Sequence, residues 1–159
     1  GQSIAKGLAT TLQRRCDRAG VDPGRLCLEL SEGEPLDVTP ERVAELEQLA
    51  AAGFRLALDD FGIGANHLGL LAHVPMDVLK VDASIFQAAA RAEGEGSQAK
   101  RVFQAILGLS HAMGLAVVVE GVEANAKDLA LAEALSGVAL QGWGIAPLQP
   151  INFPGGATG

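Results

Sequence analysis

Apolar runs of β type alternate with helix-like patterns along most of this chain. In residues 3 to 19 the apolar positions recur every four residues from Ile4 to Cys16, which is the stripe of an amphipathic helix. Thr39 followed by Pro40 is the N-cap and first-turn signature of a second helix, expected to end near residue 52. The hydrophobic pattern therefore predicts a regular alternation of helices and strands.

Further elements follow from the same pattern. Helices are also expected at about 66–73, 98–113 and 125–135, with a polar loop at 93–97. The predicted strands are residues 26–30, 54–60, 77–82, 115–122 and 138–143. Five apolar strands separated by helices are typical of a parallel sheet buried on both faces. The class is α/β, and the spacing suits either a doubly wound sheet or a (β/α) barrel.

Composition narrows the possible functions. A chain of 159 residues with 48% hydrophobic residues is sufficient for one domain with a core. Nineteen acidic residues against twelve basic ones give a net charge of −7, and only 4% of residues are aromatic. No DNA or RNA partner is therefore expected, because neither a phosphate-binding patch nor a base-stacking platform is visible.

The cellular compartment is indicated by two features that the sequence does not contain, a membrane span and a disulfide framework. No apolar run reaches the roughly 20 residues of a membrane span, so no membrane segment is expected. Cys16 and Cys27 are too few for a disulfide framework and are interpreted as core thiols. We therefore expect a cytoplasmic protein.

Polar side chains stand at the carboxyl end of every predicted strand. They are Glu29, the adjacent Asp59 and Asp60, Lys80 with Asp82, Glu120, and Gln141. Ligands bind at this edge in parallel α/β folds, so the pattern predicts one shared site. Because side chains alternate along a strand, we expect the strand to break between the two aspartates and a loop to begin at Phe61.

The acidic character of this edge points to metal ions. Converging carboxylates repel one another unless cations lie between them, and oxygen-only ligands favour Mg²⁺ or Mn²⁺. Two such ions would activate a water molecule and bind phosphoryl oxygens, with Lys80 holding that water or helping to deprotonate it. The alternative is structural, because single strand-end carboxylates are often solvated and Lys80 with Asp82 could be a plain salt bridge.

Five motifs in order resemble the EAL domains, the cyclic di-GMP phosphodiesterases. They are ELSE (29–32), LALDDFGIG (56–64), DVLKVDASIF (77–86), VVVEGVE (117–123) and LQGWGIAPLQP (140–150). The resemblance implies a TIM-type (β/α) barrel and hydrolysis of cyclic di-GMP to the linear dinucleotide with two Mg²⁺ or Mn²⁺ ions. It also implies roles for individual residues. Metal ligands would be Glu29, Asp59, Asp60 and Glu120; catalytic residues would be Lys80, Glu32 and Gln141; supporting residues would be Asp82 and Glu123.

The chain also departs from the family pattern. The Glu-Ala-Leu motif and an early-strand Asn have no counterpart, so residues 1–159 are interpreted as a partial EAL domain with about five strands, an incomplete barrel. The family's usual DDFGTGYSS is DDFGIGANH, and Ala83 replaces a common Arg. A degenerate module that binds cyclic di-GMP or a protein partner without catalysis is the second hypothesis. Unpaired sheet edges further predict a homodimer or pairing with a complementary fragment.

Overall fold

A computed structural model describes residues 7–30, 39–63, 67–94 and 96–146. The strands are β1 (Cys27–Leu30), β2 (Arg55–Phe61), β3 (Val78–Val81), β4 (Ala116–Val119) and β5 (Val138–Leu140). The helices are α1 (Leu8–Ala19), α2 (Pro40–Ala51), α3 (His67–His73), α4 (Ala83–Arg91), α5 (Gln98–Ala112) and α6 (Ala126–Glu133). A short 3-10 turn at Pro23–Arg25 precedes β1. None of the helices in these ranges is long and apolar enough to cross a membrane.

The five strands form one parallel sheet in the order β1-β2-β3-β4-β5. Each strand lies beside the strand that precedes it in the chain, as expected when every crossover runs in the same direction. The α/β class and the parallel sheet predicted from the sequence are confirmed.

The two faces of the sheet carry different side chains. Large aliphatic residues on one face are fully buried, among them Leu56, Leu58, Leu79, Val81 and Val119 at 0% exposure. The helices cover this face, and burial of each such side chain stabilises the fold by about 1.5–3 kcal/mol. The opposite face alternates with it and carries small and charged residues. The first face therefore supplies the stability, and the second is left for a site.

Three observations differ from the sequence-based expectations. Residues 83–91 form α4, a helix that the pattern of apolar residues did not reveal, although Asp82 caps it by accepting a hydrogen bond from Ser84 N at 2.8 Å. The last two strands end earlier than predicted, at Val119 and Leu140. Cys16 is buried as predicted, but the prediction for Cys27 was wrong, because this thiol is exposed on edge strand β1.

The loop that leaves β4 is held closely against α4. Gly121 has φ +68°, and its carbonyl oxygen accepts a hydrogen bond from Gln87 Nε2 at 3.2 Å. A Cβ atom at this position would overlap the Ala83 side chain and lie 3.0 Å from Ala83 Cα. Glycine is therefore required here for both its backbone conformation and its small size.

Gly121→Ala is expected to lower the free energy of unfolding by roughly 2–4 kcal/mol, because left-handed strain and overpacking add together. The matched control is Gly114→Ala, since Gly114 has φ +69° but nothing within 4 Å of its added Cβ. That variant should lose only about 1 kcal/mol. Urea unfolding measures both values, and equal losses would show that Ala83 and α4 yield easily to the added methyl group.

Candidate metal centre

Strand register places five of the candidate side chains on one face of the sheet. Glu29 pairs with Ala57, Ala57 pairs with Val78, and Lys80 pairs with Val118, which pairs with Ala139. Because paired residues share a face and side chains alternate, this face also receives the residues two positions further along each strand. The five candidates on it are Glu29, Asp59, Lys80, Glu120 and Gln141. The helix-facing aliphatic residues occupy the other face.

A one-residue bulge brings the second aspartate into the same group. Leu58 pairs with Leu79 and Phe61 pairs with Val81, so Asp59 and Asp60 together oppose the single residue Lys80. Asp60 adopts φ +54°, a left-handed conformation that aspartate tolerates better than most residues. The predicted break in strand regularity at the two aspartates is present as this bulge, but the prediction that a loop begins at Phe61 was wrong, because β2 continues to that residue.

The Lys80 ammonium contacts three carboxylates that lie in, or directly after, three other strands. Its Nζ atom lies 2.8 Å from Asp59 Oδ1, 2.8 Å from Glu120 Oε1 and 3.1 Å from Glu29 Oε2. The lysine side chain is 9% exposed, Asp59 and Glu120 are 17% and 18% exposed, and Glu29 is 51% exposed. Lys80 is thus the central cation of the cluster, and Glu29 is its most solvated member.

Opposing effects act on the pKa of Lys80. Burial alone would lower it, but the close contacts with Asp59, Glu120 and Glu29 raise it by more, so the pKa lies above its ordinary value. The side chain consequently stays protonated at neutral pH.

Negative charge exceeds positive charge within the cluster. Three carboxylates contact one ammonium group, and a fourth, that of Asp60, lies close to two of them. Oxygen atoms of Asp59, Asp60 and Glu120 lie within 4.8 Å of one another, close enough to share an ion. Hard oxygen donors without sulfur or imidazole suit Mg²⁺ or Mn²⁺, so the donor set fits a divalent metal.

The remaining candidates lie around this cluster in different settings. Gln141 directly follows β5 and is exposed, and its backbone N–H donates to Val119 O at 2.9 Å. Asp82 caps α4, and Glu123 is exposed on the loop after Glu120. Their described contacts are structural, and their proposed roles at the site stay predictions. Glu32 lies outside the described residues.

Two features of the site were not predicted from the sequence. One is the bulge that turns Asp60 toward Asp59 and Glu120, and the other is the set of ion pairs between Lys80 and three carboxylates. A signal was present in the strands, because large aliphatic residues alternate with small or charged ones in LCLEL, LALD and VLKV. That alternation indicates two unlike faces and would have assigned Glu29, Asp59 and Lys80 to the same one. The bulge has no comparable signal, since adjacent aspartates also occur in ordinary loops.

Comparison with known proteins bears on this arrangement. The family model described as EAL domain matches residues 2–148. Cyclic di-GMP phosphodiesterase PdeL of Escherichia coli strain K12 is 34% identical over 159 aligned positions, covering 96% of this chain and 42% of that protein. The chain thus spans less than half the length of this relative.

Two solved structures share the fold. The PaMucR phosphodiesterase in complex with c-di-GMP gives a TM-score of 0.74 at 29% identity, covering 91% of this chain and 56% of that one. BlrP1 of Klebsiella pneumoniae, solved with manganese and cy-diGMP, gives 0.71 at 27% identity, covering 88% of this chain and 34% of that one. Strand spacing allowed either a doubly wound sheet or a (β/α) barrel, and these matches confirm the barrel type. Because the family model matches residues 2–148, nearly the whole chain, the chain belongs to the EAL domain family.

Proposed function

We propose that this chain, as part of a complete EAL domain, acts on cyclic di-GMP, hydrolysing one phosphodiester bond to give the linear dinucleotide with two Mg²⁺ or Mn²⁺ ions. The observation that carries the proposal is the cluster of Asp59, Asp60 and Glu120 around Lys80, at the edge of the sheet where ligands bind in this class of fold. Relatives named as cyclic di-GMP phosphodiesterases support the choice of substrate.

Asp59, Asp60 and Glu120 would hold metal, and Glu29 stands beside them through its contact with Lys80. Bound divalent ions supply a polarised water molecule and neutralise charge on the phosphoryl oxygens. The bulge in β2 has a direct role here, because it presents two carboxylates from adjacent positions to the same space. Without it, Asp60 would face the helices, where an unpaired carboxylate is strongly disfavoured.

Lys80 would serve as a hydrogen-bond donor and a fixed positive charge. Its ammonium group contacts three carboxylates of the cluster, and a protonated lysine there would orient the attacking water through a hydrogen bond rather than take a proton from it. The same charge favours binding of an anionic phosphodiester. Of the two roles considered for this lysine, holding the water is the one we propose.

A non-catalytic module that binds cyclic di-GMP or a protein partner is the second candidate function. It is favoured because Glu29 is half exposed and contacts Lys80, while only three of the described carboxylates approach closely enough to share an ion. The exposed Ile63 in the loop after the bulge also replaces a hydroxyl-bearing residue of the family motif. Calorimetry with cyclic di-GMP separates the candidates, since binding without turnover supports this one.

The described sheet also bears on domain organisation. Strands β1 and β5 are its two edges, and no strand among the described residues pairs with the outer side of either one. We propose that residues 1–159 are part of a larger EAL barrel and that these edges pair with further strands. A second copy of the chain or a complementary fragment would supply them.

Asp59→Asn is expected to lower the rate of cyclic di-GMP hydrolysis by at least about 100-fold, because it removes a charged ligand at the centre of the cluster. Chromatography of the linear product in Mn²⁺ buffer measures this, both in the chain itself and in a chimera that adds the early strands of an EAL domain. Asp77→Asn is the matched control. Asp77 lies at the opposite end of β3, where its Oδ2 accepts a hydrogen bond from Leu56 N at 2.8 Å. A wild-type rate in Asp59→Asn would defeat the catalytic proposal.

Lys80→Met is expected to destabilise the metal-free protein by roughly 2–4 kcal/mol, since the carboxylates lose the cation that they contact. Because the folded pKa is raised, this stabilisation is fully present below about pH 10.4 and declines as pH rises further toward the folded value. Denaturation across this range should therefore show a decline in the wild type that Lys80→Met lacks. Lys127→Met, at an exposed lysine on α6, is the control, and equal stability of the two variants would contradict the prediction.

Association of this 159-residue chain is expected at micromolar concentration, because open parallel edges favour pairing with another chain. Light scattering coupled to size exclusion measures the mass directly. Adding proline at an outward-facing N–H of β1 should weaken association without removing the metal cluster, and Cys27→Pro is a suitable change, because the exposed Cys27 directs its N–H away from β2. A compact monomer that unfolds cooperatively would show that both edges are already covered.

A further inference from the structure

Asp128 is a charged residue buried away from the metal cluster. It lies in the first turn of α6 and has 0% exposure. Its Oδ1 atom has no hydrogen-bond partner among the described residues. A buried carboxylate without a paired cation is unfavourable, and the helix N-terminus offsets only part of that cost. Retaining such a group calls for a physical reason.

Capping of α6 does not supply that reason. Asn125 already caps the helix, because its Oδ1 accepts a hydrogen bond from Asp128 N at 3.0 Å. The other carboxylate oxygen of Asp128 instead points back to the preceding loop, where Oδ2 accepts a hydrogen bond from Glu123 N at 3.1 Å. The side chain thus acts on the loop rather than on its own helix.

That loop begins at Glu120, a ligand in the candidate metal centre. Glu120 N donates to Val81 O at 3.1 Å, which fixes the start of the loop on β3. Val122 is fully buried two residues later. The hydrogen bond from Asp128 to Glu123 N fixes the far end, so the backbone that carries Glu120 is held on both sides.

The same loop supports the end of β5. Val122 N donates to Gln141 O at 3.2 Å, and Gly144 N donates to Val122 O at 2.8 Å. A Cβ atom at Gly144 would lie 2.5 Å from the carbonyl carbon of Glu123, so the two segments are in direct backbone contact. Movement of Glu123 would therefore disturb Gln141 as well as Glu120.

We propose that Asp128 is a positioning residue of the metal centre, which fixes the Glu120–Glu123 loop through the backbone N–H of Glu123. The inference rests on the proposed function, because the metal centre is the site whose geometry the residue controls. Groups that orient metal ligands without touching the ion typically alter metal affinity by about 10- to 100-fold when they are removed. This role explains why a carboxylate with only one hydrogen-bonded oxygen is kept in a buried position. Its burial lowers stability, but its hydrogen bond to Glu123 N holds the loop that carries Glu120.

Three variants of the whole chain test this inference by Mn²⁺ affinity. Asp128→Ala should bind Mn²⁺ about 10-fold more weakly than wild type in calorimetry. Asp128→Asn should retain wild-type affinity, because the amide oxygen can still accept from Glu123 N. Ser110→Ala is the matched control for losing a buried hydrogen bond, since Ser110 is 0% exposed and its Oγ donates to Ile106 O at 2.9 Å on α5. It should leave Mn²⁺ affinity unchanged.

Amide hydrogen exchange gives a readout independent of metal. Exchange at Glu123 and Gly144 should accelerate in Asp128→Ala relative to both Asp128→Asn and Ser110→Ala. If the alanine variant does not fold, Asp128→Val replaces it, because valine fills more of the buried volume while still lacking an acceptor.

The outcomes distinguish this inference from the proposed function. Equal Mn²⁺ affinity in the acceptor-lacking Asp128 variant and in Ser110→Ala overturns the positioning role, whatever the hydrolysis assay gives. Weaker Mn²⁺ binding in that variant, together with no hydrolysis by either the wild-type chain or the chimera, supports the positioning role and overturns the catalytic proposal. A wild-type chain that binds no Mn²⁺ overturns both.

Discussion

The contacts between the Lys80 ammonium and three carboxylates are the interaction on which the site depends. Glu29, Asp59 and Glu120 come from or directly follow three different strands, and each would repel the others in the absence of a cation. One buried lysine therefore holds three strand ends together at the edge of the sheet. It leaves the cluster negatively charged, which is the electrostatic condition that a divalent metal requires.

Stability and chemistry are divided between the two faces of the same strands. On the helix-covered face Leu56, Leu58 and Leu79 are excluded from solvent, and their burial stabilises the sheet. Residues alternating with them face the other way and are free to be charged. In the described sheet, the bulge at Asp59 and Asp60 breaks this alternation, and it adds a second carboxylate without moving Phe61 from its buried position.

The sheet positions the candidate site residues only coarsely, and the loops complete their placement. Glu120 and Gln141 stand just beyond their strands, and each is held by a last backbone hydrogen bond to the neighbouring strand. Close packing of Gly121 on α4 and of Gly144 on Glu123 adds restraints on the loops that follow. Residues far from the metal centre in sequence, such as Gln87 and Asp128, thereby contribute to its geometry.

The sequence by itself determined the α/β class, the five parallel strands and the family, because hydrophobic periodicity and motif order are local properties. It also indicated the candidate residues, since polar groups interrupt apolar strands at their carboxyl ends. Only the tertiary structure decided which carboxylates Lys80 contacts, that Asp60 turns toward the cluster, and that residues 83–91 form a helix beside the loop that follows Glu120. These features depend on strand register and on contacts between distant segments, and neither is encoded in the spacing of residues along the chain.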